Sequence, residues 1–403
     1  MKIKQLDVAG FRSLKNVSWQ PGDLNVVIGP NGSGKSNLLR VLEMISVSAQ
    51  GHLSTYIQSN GGFNAISWDG LAHSISFMLR LGGEKLSGNV QENYELELVP
   101  WILPSSYMIG REVWSSSGVR LKTKEPYTET KIERVYKLPG RGKNQVVFMG
   151  EELNQTEGIS EQETLLSLLN SLSLSTQKPF SFFRDIFRRQ VAGFAVYQNL
   201  DVSHDSKIRQ AAVTRLEKRI EVDGQNLVPV LHTLYTSDRN FKRNIDSAMQ
   251  AAFGSDYEEI VFPPAADQRV QFRIRWKSLR REQSAADLSD GTLRFLLLIT
   301  ILSTPEPPML IAIDEPETGL HPSMFPIIAE YAAEASSHAQ IVFTTHSPQF
   351  LDAFTDIKPT TTVAKWENGE TSLHVLEGDE LKYWLSEYSL GSLFTSGELE
   401  ALA

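Results

Sequence analysis

One eight-residue stretch constrains the fold of this chain more than any other feature of its sequence. Residues 29–36 read GPNGSGKS and match the pattern G-x-x-x-x-G-K-[ST]. An apolar, strand-like run over 24–28 precedes this stretch, and the spacing of apolar residues over 35–48 predicts an amphipathic helix after it. A strand, a glycine-rich turn and a helix in this order predict an α/β protein with a phosphate-binding loop.

The residues of this loop suit the phosphate groups of a nucleotide. Gly32 and Gly34 permit backbone angles that other residues resist, so successive N–H groups can turn towards phosphate oxygens at a helix N-terminus. Lys35 supplies a cation for the β- and γ-phosphates, and Ser36 supplies a hydroxyl ligand for Mg²⁺. The predicted phosphate-binding residues are Gly29, Pro30, Asn31, Gly32, Ser33, Gly34, Lys35, Ser36 and Asn37.

Three further side chains are predicted to meet this loop. Asp314 and Glu315 follow the apolar run MLIAI, and His346 follows the apolar run IVFTT. One predicted helix separates the two runs, so we expect neighbouring parallel strands, and ligands gather at the carboxyl ends of such strands. We expect Asp314 to hold Mg²⁺ through water, Glu315 to polarise the attacking water, and His346 to reach the γ-phosphate or its water. With Lys35, these are the predicted catalytic residues.

A second helix N-terminus is predicted in the sequence LSDG. Ser289, Asp290 and Gly291 precede the apolar run TLRFLLLITIL. Ser or Asp in this place is an ordinary helix N-cap, and the same helix end can also present Ser289 and backbone N–H groups to a phosphate. Because LSDG stands shortly before Asp314, we predict that the segment binds nucleotide as well as capping the helix.

The composition of the chain excludes several classes of protein. The 403 residues include 0 Cys and carry a formal net charge of −9. The lack of cysteine excludes cysteine-ligated metals, disulfides and thiol catalysis. The first residues lack the apolar core of a signal peptide, and no run of about 18 apolar residues occurs. We therefore expect a cytoplasmic protein that does not enter a membrane.

Two basic clusters stand out in this acidic chain, over 184–219 and over 269–281. Each is open to two interpretations. The residues are solvated faces of helices and a strand, or they form a surface that contacts the phosphate backbone of DNA or RNA. Because the chain as a whole is acidic, we expect any such binding to be weak and salt-sensitive.

Taken together, the motifs resemble a known family. GPNGSGKSN, LSDGT, MLIAIDEPETGLHP and IVFTTHSP, in this order, resemble the motifs of ABC-type ATPases of the SMC/RecF/OLD-like branch. LSDGT stands where the signature of such ATPases usually reads LSGGQ. A closer resemblance is to stand-alone predicted AAA-type ATPases of bacteria, which share ETLLSLL, DGQNLVPVL and YSLGSLFTSGEL. These segments lie here at 163–169, 223–231 and 388–399.

The resemblance implies a fold, ligands and partners. The fold is an α/β P-loop NTPase of ABC/SMC-head type, with a mixed core sheet, an antiparallel β region and a helical and β insertion lobe. The ligands are ATP and Mg²⁺. Two heads form a homodimer that sandwiches ATP head to tail, and the dimer acts as a switch for an effector protein, as in bacterial anti-phage operons. The alternative is a RecF-like DNA-binding ATPase of repair, whereas a transporter subunit is disfavoured because no membrane segment is predicted.

The resemblance also assigns roles to individual residues. Ser289 and Gly291 contact the γ-phosphate bound to another subunit, and Glu315 is the general base. Arg12 and Ser13 flank the nucleotide. Gln58 is a candidate for the glutamine loop of the family. The loop that lies across the dimer seam comprises Thr318, Gly319, Leu320 and His321.

The wide separation of the phosphate loop from LSDG predicts a split head. We divide the chain into residues 1–80, the first part of the head; 81–284, a β region and mainly helical insertion lobe; and 285–403, the second part. OLD-type nucleases carry a further metal-binding domain at the C-terminal end, which the acidic stretch Glu377–Asp379 resembles faintly. Too little chain follows to complete that domain, so we do not expect nuclease activity.

The local patterns make more specific predictions about secondary structure. Residues 51–70 are rich in Gly, Ser and Asn and are predicted as a loop. Apolar spacing predicts helices over 208–220 and over 227–253. The strand-like runs between residues 74 and 160 predict an antiparallel β region.

Overall fold

The structure is a computed structural model. It describes residues 1–85, 88–101, 105–120, 126–136, 144–148, 151–152, 160–168, 186–376 and 388–402.

A six-stranded sheet forms the centre of the fold. Five of its strands are parallel, and the last strand is antiparallel to its neighbour. From one edge to the other, the strands are β10 (Ala195–Tyr197), β17 (Leu310–Asp314), β18 (Gln340–Thr345), β3 (Leu24–Ile28), β19 (Thr360–Glu367) and β20 (Glu370–Val375). The strand predicted over 24–28 is confirmed.

An eight-stranded antiparallel sheet forms a second layer. Its strands are β2 (Leu14–Trp19), β1 (Lys2–Phe11), β4 (Ile75–Lys85), β5 (Gly88–Pro100), β6 (Tyr107–Arg120), β7 (Pro126–Tyr136), β8 (Asn144–Phe148) and β9 (Glu151–Glu152). The predicted antiparallel β region is confirmed. Along β1, buried and partly exposed residues alternate, as expected for a sheet with one face against the core.

Twelve helices are found in the described part of the chain. They are α1 (Lys35–Gln50), α2 (Leu53–Ser59), α3 (Phe63–Ile66), α4 (Leu165–Leu168), α5 (186–192), α6 (Leu227–Ser237), α7 (Arg239–Phe253), α8 (Asp290–Leu302), α9 (Phe325–Ala335), α10 (Pro348–Asp352), α11 (Leu390–Ser396) and α12 (Glu398–Leu402). The helices predicted after the phosphate loop and over 227–253 are confirmed, the latter with a break at Asp238. The Asp238 side chain accepts hydrogen bonds from the N–H groups of Asn240 and Phe241 and so caps α7.

Helix α1 lies between the two large sheets. Val27 of β3 belongs to a core cluster that includes Leu38 and Leu42 of α1 and also the inner face of the antiparallel sheet. Its neighbours Val26 and Ile28 belong to a separate cluster formed with helices α6 to α9. Because successive side chains of a strand point to opposite faces, the core sheet is buried on both sides. The helix that follows the phosphate loop is therefore enclosed by apolar packing.

Two small antiparallel sheets complete the described structure. The first contains β11 (Ala212–Val213), β14 (Arg269–Val270) and β13 (Pro264–Ala265), and the second contains β12 (Tyr257–Val261), β15 (Arg273–Trp276) and β16 (Gln283–Ser284). Single 3-10 turns lie at Trp68–Gly70, Lys207–Arg209, Gly254–Asp256, Ala285–Asp287 and Pro322–Met324.

The helix predicted over 208–220 is wrong. Only Ile208 and Ile220 of this segment are buried, so it has no continuous apolar face to hold a helix against the core. The backbone instead bonds to side chains of other segments. The carbonyl of Arg215 accepts from the Thr233 hydroxyl at 2.9 Å, and that of Arg219 accepts from the Asn226 amide at 3.0 Å.

The loop predicted over 51–70 is also wrong, because α2 and α3 lie within it. Leu53 and Ile57 are fully buried on one side of α2, and Phe63 and Ile66 are buried in α3. These few apolar residues are spaced for short amphipathic turns. The high content of Gly, Ser and Asn concealed that spacing.

The division into a head and an insertion stays a prediction, but its first boundary needs correction. Residue 80 falls inside β4, which pairs with β1 on one side and with β5 on the other. A boundary there would cut a continuous hydrogen-bonded sheet. Glu377–Asp379, the faint nuclease-like stretch, lies outside the described residues. Among the residues that are described, no helix combines the length and the apolar character needed to cross a membrane.

Candidate active site

Three strand ends bring the predicted residues to one edge of the core sheet. The phosphate loop follows β3, Asp314 ends β17, and His346 follows β18, which lies between the other two. In this register Thr345 lies opposite Ile28, and Thr344 lies opposite Asp314. The parallel arrangement therefore places a glycine-rich loop, two acids and a histidine side by side, as the order of the motifs predicts.

The phosphate loop has the backbone of a cradle. The φ angles of Gly29, Gly32 and Gly34 are +149°, +83° and +99°, values that residues with a Cβ rarely adopt. Pro30 and Gly32 are exposed, whereas the base of the loop is buried. The loop thus opens outwards from a fixed base.

Two buried polar groups in the loop fit a bound phosphate. The Ser33 side chain is 1% exposed, and its Oγ has no hydrogen-bond partner among the described residues. Lys35 Nζ donates to the carbonyls of Gly29 at 2.7 Å and Pro30 at 3.0 Å. A buried donor without a partner is costly, and an anion in the loop would supply acceptors for both side chains.

The environment of Lys35 also favours an anion nearby. Burial lowers the pKa of the Lys35 ammonium, and the carboxylates of Glu315 and Asp314 raise it in partial compensation. The folded protein therefore holds a positive charge where desolvation opposes it. A phosphate beside Nζ would relieve that cost by direct attraction.

Gly34 is held against Thr371 of β20. Thr371 Oγ1 donates to the Ser33 carbonyl at 2.9 Å and lies 2.8 Å from Ser13 Oγ. The Asn37 amide donates to the same Ser13 oxygen at 2.7 Å. Ser13, which sequence reasoning placed beside the nucleotide, thus lies behind the phosphate loop and helps to fix its base.

We expect Gly34→Ala to destabilise the protein far more than Gly32→Ala. A Cβ at Gly34 would lie 2.1 Å from Thr371 Oγ1, whereas a Cβ at Gly32 would meet nothing within 4 Å. Both substitutions carry the cost of a left-handed backbone, about 1 kcal/mol, and Gly34→Ala adds a clash that raises the loss to about 3 kcal/mol. Denaturant unfolding of the two variants measures this difference, and equal losses would contradict it.

Gln58 is part of α2, and Arg12 is bonded to the residue that follows α2. Arg12 has a φ of +47°, and its guanidinium donates to the Asn60 side chain at 2.8 Å. Burial lowers the pKa of Arg12, with the charge of Arg40 acting in the same direction. Gln58 is exposed on α2, where its amide bonds to Ser54 at 3.4 Å. No bond in the described part of the chain joins either side chain to the phosphate loop.

The two acids after β17 are held by the end of β18. The Thr344 hydroxyl donates to the Asp314 carboxylate, which fixes one of its oxygens. The Glu315 N–H donates to the Thr344 carbonyl at 3.1 Å. Glu315 has a φ of +45°, an uncommon angle for a residue with a side chain. Backbone strain of this kind often accompanies function.

Glu315 and His346 form a direct pair. Glu315 Oε1 lies 2.9 Å from His346 Nδ1, and the two side chains are 37% and 43% exposed. The carboxylate is therefore open to solvent and oriented by a neighbour. That is the arrangement expected of a general base and the residue that positions it.

Two residues near this pair were not identified from the sequence. Glu317 is 8% exposed and accepts from the Thr345 hydroxyl, while its other oxygen has no partner among the described residues. Burial raises the pKa of Glu317. Arg294 of α8 donates to the Glu315 carbonyl at 3.2 Å, and burial lowers its pKa. Glu317 lies within the quoted motif, but only the fold shows that Arg294 reaches the strained turn.

The LSDG segment is a helix N-terminus, as predicted. Ser289 is the N-cap of α8, and its Oγ accepts from the Thr292 N–H at 3.1 Å. A Cβ on Gly291 would lie 2.9 Å from the Gly319 carbonyl, so the predicted seam loop packs directly beside the signature. Within the described residues, no hydrogen bond or ion pair joins 288–291 to the phosphate loop.

Several members of the basic clusters are paired within the molecule. Lys218 lies 2.9 Å from a carboxylate oxygen of Glu306, and Arg275 forms ion pairs with Glu259 and Glu282. Arg209 contacts Asp290 of the signature. Arg184 lies outside the described residues. These pairs reduce the positive charge that the clusters can offer to a nucleic acid.

Comparison with known proteins identifies the family. The family profile described as "AAA domain, putative AbiEii toxin, Type IV TA system" matches residues 24–352. The chain belongs to this family. The matched range of this chain includes its phosphate loop, signature, acidic pair and His346.

Curated relatives share parts of the chain. It is 26% identical over 189 residues to the phosphonates import ATP-binding protein PhnC 2 of Trichodesmium erythraeum, a match that covers 46% of this chain and 69% of that protein. It is 36% identical over 63 residues to the DNA replication and repair protein RecF of Shewanella piezotolerans, covering 15% of this chain and 18% of that protein.

A solved structure shares the fold. The crystal structure of the SmcHead bound to the C-winged helix domain of ScpA matches with a TM-score of 0.53 and 15% identity, over 95% of this chain and 100% of that chain. The predicted fold class is therefore confirmed. The chain is an ABC/SMC/RecF-like P-loop ATPase by fold and by family.

Proposed function

We propose that this protein binds ATP with Mg²⁺ and hydrolyses it to ADP and phosphate. The observation that carries the proposal is the Glu315–His346 pair at the same sheet edge as the phosphate loop. A half-exposed carboxylate oriented by a histidine is suited to accept a proton from water. The adjacent loop is suited to hold the phosphate that the water attacks.

Each side chain has a separate task in this reaction. Lys35 and the backbone of the loop hold the phosphates, while Ser36 and Asp314 would hold Mg²⁺, with Thr344 fixing the carboxylate of Asp314. Mg²⁺, when bound, neutralises charge on the phosphates. Glu315 takes the proton of a water whose oxygen bonds to the γ-phosphorus as the bond to the β–γ bridging oxygen breaks. His346 orients Glu315.

We further propose that two heads act together. In the described part of the chain, the signature Ser289 shares no hydrogen bond with its own phosphate loop. Both segments lead into a helix N-terminus that is suited to bind phosphate. In a head-to-tail homodimer each signature would complete the nucleotide site of the other subunit. The seam loop beside Gly291 supports the same assignment, because it extends the surface around the signature.

The dimer is proposed to act as a switch for an effector protein in bacterial defence. Two observations support this role. The matching family is described by a toxin of a Type IV TA system, and the SmcHead of similar fold was crystallised with a domain of ScpA. The partner would bind the proposed insertion between the two parts of the head, where the sequence departs most from a minimal ATPase.

A second candidate function is that of a RecF-like DNA-binding ATPase, which the RecF relatives favour. The exposed arginines Arg269, Arg280 and Arg281 would be its phosphate contacts. Binding to DNA ends that requires ATP and disappears in Lys35→Ala would favour it. No binding at high micromolar protein would exclude it.

A mixing experiment tests the composite site. Lys35→Ala removes the phosphate-loop cation, and Ser289→Arg blocks the signature. Each variant is expected to be inactive alone. A mixture should recover about a quarter of the wild-type rate per head, because about half of the dimers are mixed and each has one complete site.

The control for this experiment is Ser389→Arg. Ser389 caps α11 by accepting from the Ser392 N–H, so this variant loses a similar cap away from the site. It should remain active alone. A mixture of Lys35→Ala and Ser289→Arg that stays inactive would contradict the head-to-tail arrangement.

A further inference from the structure

The signature loop is held in place by one arginine from a distant segment. Arg209 lies on the 3-10 turn Lys207–Arg209, within the basic cluster over 184–219, and its side chain is only 6% exposed. Such burial is unusual for an arginine, which is normally exposed unless it is paired. The hydrogen bonds of its guanidinium account for this burial.

Arg209 bonds to both of the segments that it joins. Nη1 donates to the carbonyls of Leu288 at 2.7 Å and Ala285 at 3.1 Å, and Nη2 donates to the Asp290 carboxylate. Nε donates to the carbonyls of Val202 at 3.0 Å and Ser203 at 3.0 Å. The guanidinium therefore connects 202–203 with 285–290, the residues that lead into Ser289 and α8.

Only arginine can make this set of contacts. A guanidinium presents five donors in a rigid planar fork, whereas the lysine ammonium has three donors around one atom. These contacts also explain the presence of an aspartate at position 290. It stands at a position that is usually glycine in the related signature, and its carboxylate binds Arg209 rather than leaving the loop unattached.

The segment that carries Arg209 is itself fixed. Gln225 accepts from the Ser206 hydroxyl at 2.9 Å and donates to the Asp201 carbonyl at 2.9 Å. The neighbouring Ile208 is fully buried in the core cluster of helices α6 to α9. Because this segment is fixed, the hydrogen bonds of Arg209 hold the signature loop in place against it.

We propose that Arg209 is a positioning residue for the signature. It holds Ser289 and the first N–H groups of α8 in the geometry that completes the nucleotide site of a partner head, and it is not a nucleic-acid contact. The expected effect of Arg209 on catalysis rests on the proposed function. Its structural part, the attachment of the loop, is independent of that function.

The first experiment measures amide hydrogen exchange over residues 285–293 in the nucleotide-free protein. Arg209→Lys keeps a charge but loses the fork, and Arg209→Ala loses both. Exchange of the loop amides is expected to rise about tenfold in Arg209→Ala and less in Arg209→Lys, because local opening becomes easier. Arg239→Lys and Arg239→Ala, on an exposed arginine of α7, are the matched controls and should leave this exchange unchanged.

The second experiment separates binding from turnover. ATP affinity of the full-length monomeric protein, measured with a fluorescent ATP analogue, should stay within about twofold, because Arg209 does not contact the phosphate loop. kcat should fall at least about tenfold, since a displacement of about 1 Å can cost about a hundredfold. A general loss of folding would reduce both quantities together.

The outcomes distinguish the two proposals. Unchanged exchange over 285–293 in both Arg209 variants overturns the inference, whatever the activity. Raised exchange with wild-type kcat also overturns it, because the position of the loop would then not matter to the reaction. If the wild-type protein neither dimerises with ATP nor hydrolyses it, the proposed function fails, and exchange alone decides whether Arg209 holds the loop.

Discussion

Glu315→Gln is expected to lower kcat for ATP hydrolysis by about a hundredfold to ten-thousandfold while ATP binding stays intact. The amide keeps the shape of the carboxylate but cannot accept the proton of the attacking water. His346 Nδ1, now 2.9 Å from a carboxylate oxygen, can still bond to the amide oxygen. The strained turn at this residue should therefore keep its geometry.

The trapped state provides a second readout of the same variant. If hydrolysis separates the heads, Glu315→Gln should accumulate as a dimer in the presence of ATP and Mg²⁺, visible by light scattering coupled to gel filtration. Glu330→Gln, an isosteric change at an exposed position on α9, is the control and should behave like the wild type. Equal hydrolysis by wild-type and Glu315→Gln proteins would show that Glu315 is not the base.

Lys35→Met is expected to weaken ATP binding strongly without lowering stability. Charge-assisted hydrogen bonds to an anion contribute about 1.5–3 kcal/mol each, so their loss weakens binding at least about tenfold to a hundredfold. Fluorescent-nucleotide titration measures this change. Lys4→Met, at an exposed position on β1, serves as the matched control and should bind normally.

The stability of this variant follows from the sign of the pKa shift. Burial lowers the pKa of Lys35 in the folded protein, so at neutral pH the charged form is less favourable in the fold than in the unfolded chain. Replacing the ammonium with a methionine side chain removes that cost, but it also removes the hydrogen bonds to the Gly29 and Pro30 carbonyls. Because the two effects oppose each other, the melting temperature without ATP should stay about the same. A marked fall would mean that the lysine holds the loop together and that lost binding reflects unfolding.

The sequence predicted those parts of the site that are built from a few consecutive residues. GPNGSGKS, the acids after MLIAI and the histidine after IVFTT each lie at the end of one strand, so the parallel order of the strands was enough to bring them together. The same local logic predicted the N-cap at Ser289. Each of these features depends on a few consecutive residues and a strand or helix that they begin or end.

The sequence did not predict features that depend on residues far apart along the chain. Thr371 fixes the phosphate loop from β20, and Arg294 reaches the Glu315 turn from α8. The segment over 208–220 has apolar residues at helical spacing, but only Ile208 and Ile220 are buried and no helix forms. Its side chains bond across the fold instead, as Arg209 does to the signature.

The sequence by itself therefore determined the class of protein and which residues lie together at the edge of the core sheet. Only the tertiary structure decided how those residues are held, and that Arg209 belongs to the signature rather than to a basic surface. The physical reason is the range of the interactions. Phosphate loops and helix caps use neighbouring backbone groups, whereas a buried guanidinium is stable only where folding brings enough acceptors around it.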